Sequence, residues 1–228
     1  MRKGIVTLVV VAVVALAIAT VGPPVYKLLT SEGLQTASIA DGSGEPATVG
    51  VDGHWDIVGG VGQNSTEAGY TFDEILPGQE KTTSGRTSSV DGSLVVSDGV
   101  LREGKVTVDV ASIESDIEKR DIHVRDNILH TDRYPEATFT ITDPVDLSSL
   151  PDDGSVDTVT VNGELTMHGQ TNDVTTELSV LRTGENVIVS GRVPVEREAF
   201  GIVSPEFVAS QIAEEGTVDL LLVFGLQN

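Results

Sequence analysis

From Gly53 onward the chain alternates apolar and polar residues in short runs, each closed by Gly, Asp, Asn, Ser or Pro. HWDIV, YTFDEI (Tyr70 to Ile75), VDGSLVV (Val90 to Val96) and KVTVDV (Lys105 to Val110) come first. ATFTIT (Ala137 to Thr142), TVTVNGELTM (Thr158 to Met167), DVTTELSVL (Asp173 to Leu181), NVIVSGRVPV (Asn186 to Val195) and TVDLLLVF (Thr217 to Phe224) follow. A period of two places alternate side chains on opposite faces of a strand, so each run is a strand with one buried face. The 228 residues allow one large all-β domain or two small ones. Eight or nine antiparallel strands in a single domain point to a sandwich or a closed barrel. Composition agrees: aromatic residues are 4%, glycines number 24, and the apolar residues are mainly Val, Leu and Ile.

The alternation also assigns faces. Val106, Val108 and Val110 share one side, as do Ala137, Phe139 and Ile141. Val159, Val161, Leu165 and Met167 form the next inward set, then Leu178 with Val180, Val187 with Val189 and Val193, and Leu220 with Leu222 and Phe224. Phe72 and Leu94 take inward positions on the earlier strands. Gly163 and Gly191 also fall on the inward side, where a side chain normally fills the core. Each either leaves room for a ligand or marks a bend in a curved sheet. An eight-stranded barrel can be filled by its own side chains or can enclose one small ligand.

One helical segment interrupts the strands. Ser115-Asp116-Ile117-Glu118 has the spacing of a capping box, which starts a helix there and carries it to about His130. Ile117, Val124 and Ile128 share its apolar side, widened by Ile122 and Leu129. Asp121 and Arg125 sit four residues apart inside that arc, and are expected to form an ion pair clasping helix to barrel. His123 and His130 lie on the polar side, about 10.5 Å apart along the axis, too far to share a metal ion. Tyr134-Pro135 ends the helical region. His168, in LTMHGQT, falls at a hairpin, either as a plain turn residue or as a contact for a ligand headgroup.

Charge and composition exclude several classes. The formal net charge is −21, and from Gly53 onward 31 acidic residues face 11 basic ones, the wrong sign for a nucleic-acid partner. With no cysteine there is no disulfide, thiolate nucleophile or Cys-ligated metal. The sequence has no G-x-S-x-G elbow, phosphate-binding loop or H-E-x-x-H pattern, so no catalytic residue, cofactor or metal ligand is assigned.

At the amino-terminal end Arg2 and Lys3 precede Gly4 to Gly22, a run without charge that as a helix would span about 28 Å. It is read as a transmembrane signal-anchor over residues 1–29 with the basic end in the cytoplasm. Ala17-Ile18-Ala19 would alternatively permit cleavage and secretion. Residues 30–52 are polar, Gly-rich and aperiodic, and are read as a flexible linker to the domain at 53–228.

In combination and order, five motifs carry a family resemblance. They are GRTSSVDGSL (Gly85 to Leu94), VASIES (Val110 to Ser115), the EKRDIHVRD helix, RYPEATFTIT, and VNGELTMHGQTNDVTTEL (Val161 to Leu178). Together they resemble the YceI-like, polyisoprenoid-binding family over about Trp55 to Phe224. The resemblance implies a lipocalin-like antiparallel barrel of eight strands, exported to a bacterial envelope, with a long isoprenoid chain inside. The residues expected against that chain are Phe72, Leu94, Val108, Phe139, Ile141, Leu165, Met167, Leu178, Val189, Leu222 and Phe224, with Gly163 and Gly191 leaving it space. The alternative is an envelope interaction protein whose barrel is filled by its own side chains.

Overall fold

Alternation at period two becomes a single antiparallel sheet wound into a ring. The computed structural model describes residues 2–40, 42, 44–76, 79–203 and 211–227. In chain order the strands are β1 (Gly53–Val58), β2 (Gly60–Val61), β3 (Asn64–Ser65), β4 (Glu67–Leu76), β5 (Gln79–Thr87), β6 (Val90–Ser97) and β7 (Val100–Asp109). After the helical segment come β8 (Glu136–Ile141), β9 (Val145–Asp146), β10 (Val156–Met167), β11 (Gln170–Thr183), β12 (Asn186–Glu196) and β13 (Gln211–Leu226). The sequence β1-β6-β7-β8-β10-β11-β12-β13 runs from neighbour to neighbour, and β13 returns to β1, pairing Trp55 with Leu226 and Ile57 with Phe224. Eight strands therefore close an antiparallel barrel, which leaves no open edge in the ring.

The β4–β5 hairpin lengthens this ring at one end. β13 pairs with β1 through residues 223–226 and with β4 through residues 211–221, so β1 and β4 lie end to end along the same side of β13. The β2–β3 excursion separates them. Tight turns join two of the neighbouring pairs: Asp98-Gly99 between β6 and β7, and His168-Gly169 between β10 and β11, have φ of 56° and 72°, and of 51° and 74°. Positive φ at both central residues matches the right-handed twist of the strands they connect.

Three apolar clusters follow from this geometry. The first is the barrel interior, with Trp55, Val96, Leu101, Val161, Leu178, Leu222 and Phe224 buried in it. The second, Val124, Ile128, Leu165, Phe200 and Ile202, joins the helical segment to one end of the barrel. The third lies on the outward face: Leu181, Ile188, Leu221 and Val223 alternate with inward Val180, Val187, Leu222 and Phe224, yet are buried as deeply.

The cover over that outward strip comes from a segment expected to be free. Gly33 to Asn228 form one compact unit, so the linker assignment to residues 30–52 and the boundary at 53 are corrected. The Leu34 amide donates to the Ser84 carbonyl, the Ala40 amide to Asn64 Oδ1, and the Thr48 amide to the Gly184 carbonyl, at 3.2, 2.9 and 2.8 Å. Ile39 packs on the strip with Val58 and Val61. A polar, Gly-rich sequence can dock as a strap when its backbone donors find acceptors and one apolar side chain finds a cleft.

The other unit, Met1–Glu32, contains helix α1 (Arg2–Thr30, 29 residues). Much of the expected spanning segment falls on residues whose side chains lie outside the described ones. Among the described residues, no helix is long and apolar enough to cross a membrane.

The interrupting helix is shorter and later than its capping box implies. Helix α2 spans Glu118–His123, and Val124–Ile128 continue it as a wider π turn, closed by the Leu129 amide on the Val124 carbonyl at 2.8 Å. Ser115 does not cap the helix: its amide and hydroxyl both donate to Asp121 Oδ1, at 2.8 and 2.6 Å. Arg125 Nη1 instead donates to the Ile113 carbonyl at 3.0 Å. The expected Asp121–Arg125 ion pair is thus replaced by three separate bonds, all holding the 113–115 loop against the helix. Asp121→Ala should leave the buried Ser115 amide without its acceptor, lowering stability by about 1–3 kcal/mol. A urea midpoint unchanged from the parent would show that Asp121 is dispensable.

Candidate functional site: an apolar channel in the barrel

Inward residues that meet from eight strands do not fill the barrel completely. Among the described residues, two cavities stand out, of about 130 Å³ and 110 Å³. Ala68, Val108, Ala137 and Val218 line both, so the cavities adjoin across a waist of small and β-branched side chains.

The first cavity is walled by carbon. Nine of the residues expected to face a ligand line it: Leu94, Val108, Phe139, Ile141, Leu165, Leu178, Val189, Leu222 and Phe224. Phe72 and Met167 line the second, beneath the helical segment. Alternation found these because the strands hold their register over long stretches, as in the pairing of β10 with β11 from Val156 to Met167, while β6 and β7 shift only between Val95 and Val96.

The two glycines play another part. A Cβ on Gly163 would stand 2.4 Å from Phe139 Cζ, and one on Gly191 would stand 2.5 Å from Leu178 Cδ2. The space they release is occupied by side chains of neighbouring strands rather than left for a ligand. Gly163 makes room for the Phe139 ring and so shapes the wall indirectly. Gly163→Leu should therefore cost about 1–3 kcal/mol through overpacking. Adding Phe139→Ala should recover only the part of that loss due to the ring in a denaturation series, since the new Cβ also stands 2.6 Å from the Thr140 carbonyl oxygen; equal destabilisation by the single and double variants would remove the assigned contact.

Sequence reasoning missed the floor and, apart from His168, the polar end. Trp55, Val96, Leu101, Leu147 and Leu150 close the first cavity, with the Trp55 indole donating to the Val51 carbonyl at 2.9 Å. The second cavity includes Tyr70, Tyr134, His168 and Arg197. Tyr70 shares the inward parity of Phe72, and the two rings stack at 5.2 Å. Burial pushes the Tyr70 phenol well above its ordinary range, so it stays protonated. Arg197 donates through Nε to the Ala213 carbonyl at 2.7 Å, through Nη1 to Ile202 at 3.0 Å and through Nη2 to Ile212 at 3.2 Å, which fixes its plane. His168 Nδ1 lies 3.1 Å from the Phe200 carbonyl, and its ring packs against Tyr134 at 4.7 Å and His130 at 5.5 Å. His123 pairs with Asn127 instead, at 3.3 Å. Among the described residues no group of three His, Asp or Glu side chains could hold a metal ion.

A closed ring of eight antiparallel strands, a helical plug and a carbon-lined interior can now be set beside known proteins. Residues 61–224 match the YceI-like domain family. The chain belongs to the YceI-like family. Protein YceI of Shigella flexneri is 34% identical over 130 residues, 57% of this chain and 52% of that protein. The chain thus spans about half the length of the curated relatives it matches. Among solved structures, a polyisoprenoid binding domain from Saccharophagus degradans, implicated in plant cell wall breakdown, superposes with a TM-score of 0.57 at 18% identity. That match covers 76% of this chain and 98% of that domain. BcnA of Burkholderia cenocepacia gives a TM-score of 0.54 at 21% identity, covering 68% and 95%. Both share the YceI-like barrel fold.

Proposed function

We propose that this YceI-like barrel is a binding protein that holds one polyisoprenoid or similar amphipathic lipid along its interior. The observation that carries the reading is the pair of adjoining cavities, apolar throughout the first and edged with polar groups only in the second. Such a channel favours a ligand with a long hydrocarbon tail and one polar end. Each methylene buried there contributes about 0.8 kcal/mol before ordering costs, so a prenyl chain of a few units suffices for tight binding. The polyisoprenoid binding domain from Saccharophagus degradans, built on the same fold, supports the same class of ligand.

Binding without catalysis is the simpler reading of the polar end. His168 faces a backbone carbonyl through Nδ1 rather than a carboxylate, and Arg197 is spent on three backbone carbonyls. Among the described residues no nucleophile, base and orienting group form a chain there. The uncharged run from Gly4 to Gly22 behind Arg2 and Lys3 supports a barrel exported across the cytoplasmic membrane and tethered to it. A mature protein beginning at Thr20 would replace tethering by secretion.

Native mass spectrometry with lipid extraction, on the full chain from its own host, tests the binding reading. A stoichiometric prenyl species is expected. A ligand-free mass that persists after exposure to prenols, prenyl phosphates and prenyl quinones would mean the channel serves no lipid.

A further inference from the structure

The polar end of the channel holds one group whose bonding is incomplete. His168 occupies the first turn position between β10 and β11, with φ of 51°, and its ring lines the second cavity. The Phe200 carbonyl beside Nδ1 can only accept, so Nδ1 carries the hydrogen of the neutral ring. That leaves Nε2 with a lone pair. Nε2 is closed off from water and has no hydrogen-bond partner. Buried polar atoms are almost always paired, and an orphan at a cavity wall points to a missing partner.

The neighbours narrow what that partner can be. Tyr134 and His130 pack on the ring, and the Tyr134 ring in turn lies over Gly169 of the same turn. Val195, Met167 and Ile202 supply apolar walls around it. An imidazole lone pair demands a hydrogen-bond donor. Ketone, ether and fully ionised phosphate oxygens have none to give.

We propose that His168 Nε2 accepts a hydrogen bond from a hydroxyl at the head of the bound lipid. The ligand class is then a prenyl alcohol or a prenylated phenol or quinol, bound with its head beneath the helical segment and its tail towards Trp55. This inference rests on the lipid-binding reading above and adds the identity of the head group and its contact. Because Nε2 is closed off, this contact requires the imidazole to shift as the head group enters.

The test compares three probes on the full-length protein: geranylgeraniol, its methyl ether and geranylgeranyl phosphate at a pH where the phosphate is a dianion. Displacement of a fluorescent fatty acid measures their affinities. The alcohol is expected to bind about five- to tenfold tighter than the ether, the scale of one net hydrogen bond. With labelled histidine, the Nε2 nitrogen resonance should shift on adding the alcohol and stay in place with the ether. His168→Ala should bring alcohol and ether to equal affinity, and the comparison on the parent protein stands if that variant folds poorly. Equal affinities for alcohol and ether on the parent overturn the head-group assignment while leaving lipid binding intact. Tighter binding of the phosphate also overturns it and moves the head away from His168. If none of the three binds, the lipid-binding reading itself fails.

Discussion

Ala137→Phe should abolish binding of long prenyl chains while sparing short ones. Ala137 stands opposite Val108 in the β7–β8 ladder and lines both cavities, so a ring at this position blocks the waist between them. A ligand confined to one side forfeits the burial of its distal tail. Losing four methylene equivalents costs about 3 kcal/mol, more than a hundredfold in affinity. The added volume should itself lower stability by about 1–3 kcal/mol, so binding is measured well below the melting transition. A ten-carbon prenol should retain its affinity, and a forty-carbon one should lose it. If the long chain still binds as in the parent, the two cavities do not form one channel.

The second large effect concerns the outside of the barrel. Deleting residues 33–49 removes the strap and its Ile39 from Leu181, Ile188, Leu221 and Val223, four side chains buried to 1% exposure or less. Complete exposure of one such residue costs about 1.5–3 kcal/mol. The β2–β3 excursion still covers part of the strip, so a loss of about 3–6 kcal/mol is expected, a large share of the stability of an ordinary domain. The shortened chain should also aggregate, since the bared strip is a contiguous apolar patch on a sheet. Ile39→Asp is the milder form of the same test. Urea denaturation reads both, and a midpoint within error of the parent would mean the strap contributes no stability.

The barrel was legible in the sequence because each strand buries one face, and the code for that is local. Val106, Val108, Phe139, Leu178 and Val189 could be aimed inward from their immediate neighbours alone. The strap was not legible, because TSEGLQTASIADGSGEPATVG has the composition of a tether and docks chiefly through backbone groups that composition does not encode. Its trace lay elsewhere: LLLVF in β13 has no polar residue to spare for an outward face, and Leu181 with Ile188 repeats that excess. A strand apolar on both sides is covered on both sides.

The helix shows how a short motif can be outbid. Ser115 and Glu118 have the spacing of a capping box, but Asp121 takes both donors of Ser115 and the helix starts only at Glu118. At the polar end the limit is distance along the chain. Tyr70, His168 and Arg197 come from β4, the β10–β11 turn and the segment after β12, and no local pattern announces that they share a cavity. Gly163 and Gly191 were visible as gaps, yet only the structure shows Phe139 and Leu178 lying across them.

The closure of the ring has a consequence in time. A growing chain delivers β1 first and β13 last, and the pairing of Trp55 with Leu226 joins residues separated by most of the domain. Until that seam forms, β12 and β1 each expose an unpaired margin and the greasy lumen stands open to whatever is nearby. A hydrophobic tail present at that moment can be enclosed by the last strand instead of threading into a finished vessel. Loading during folding and loading afterwards would then be distinct routes, separable by refolding the chain with lipid present or with lipid added only once the seam has formed.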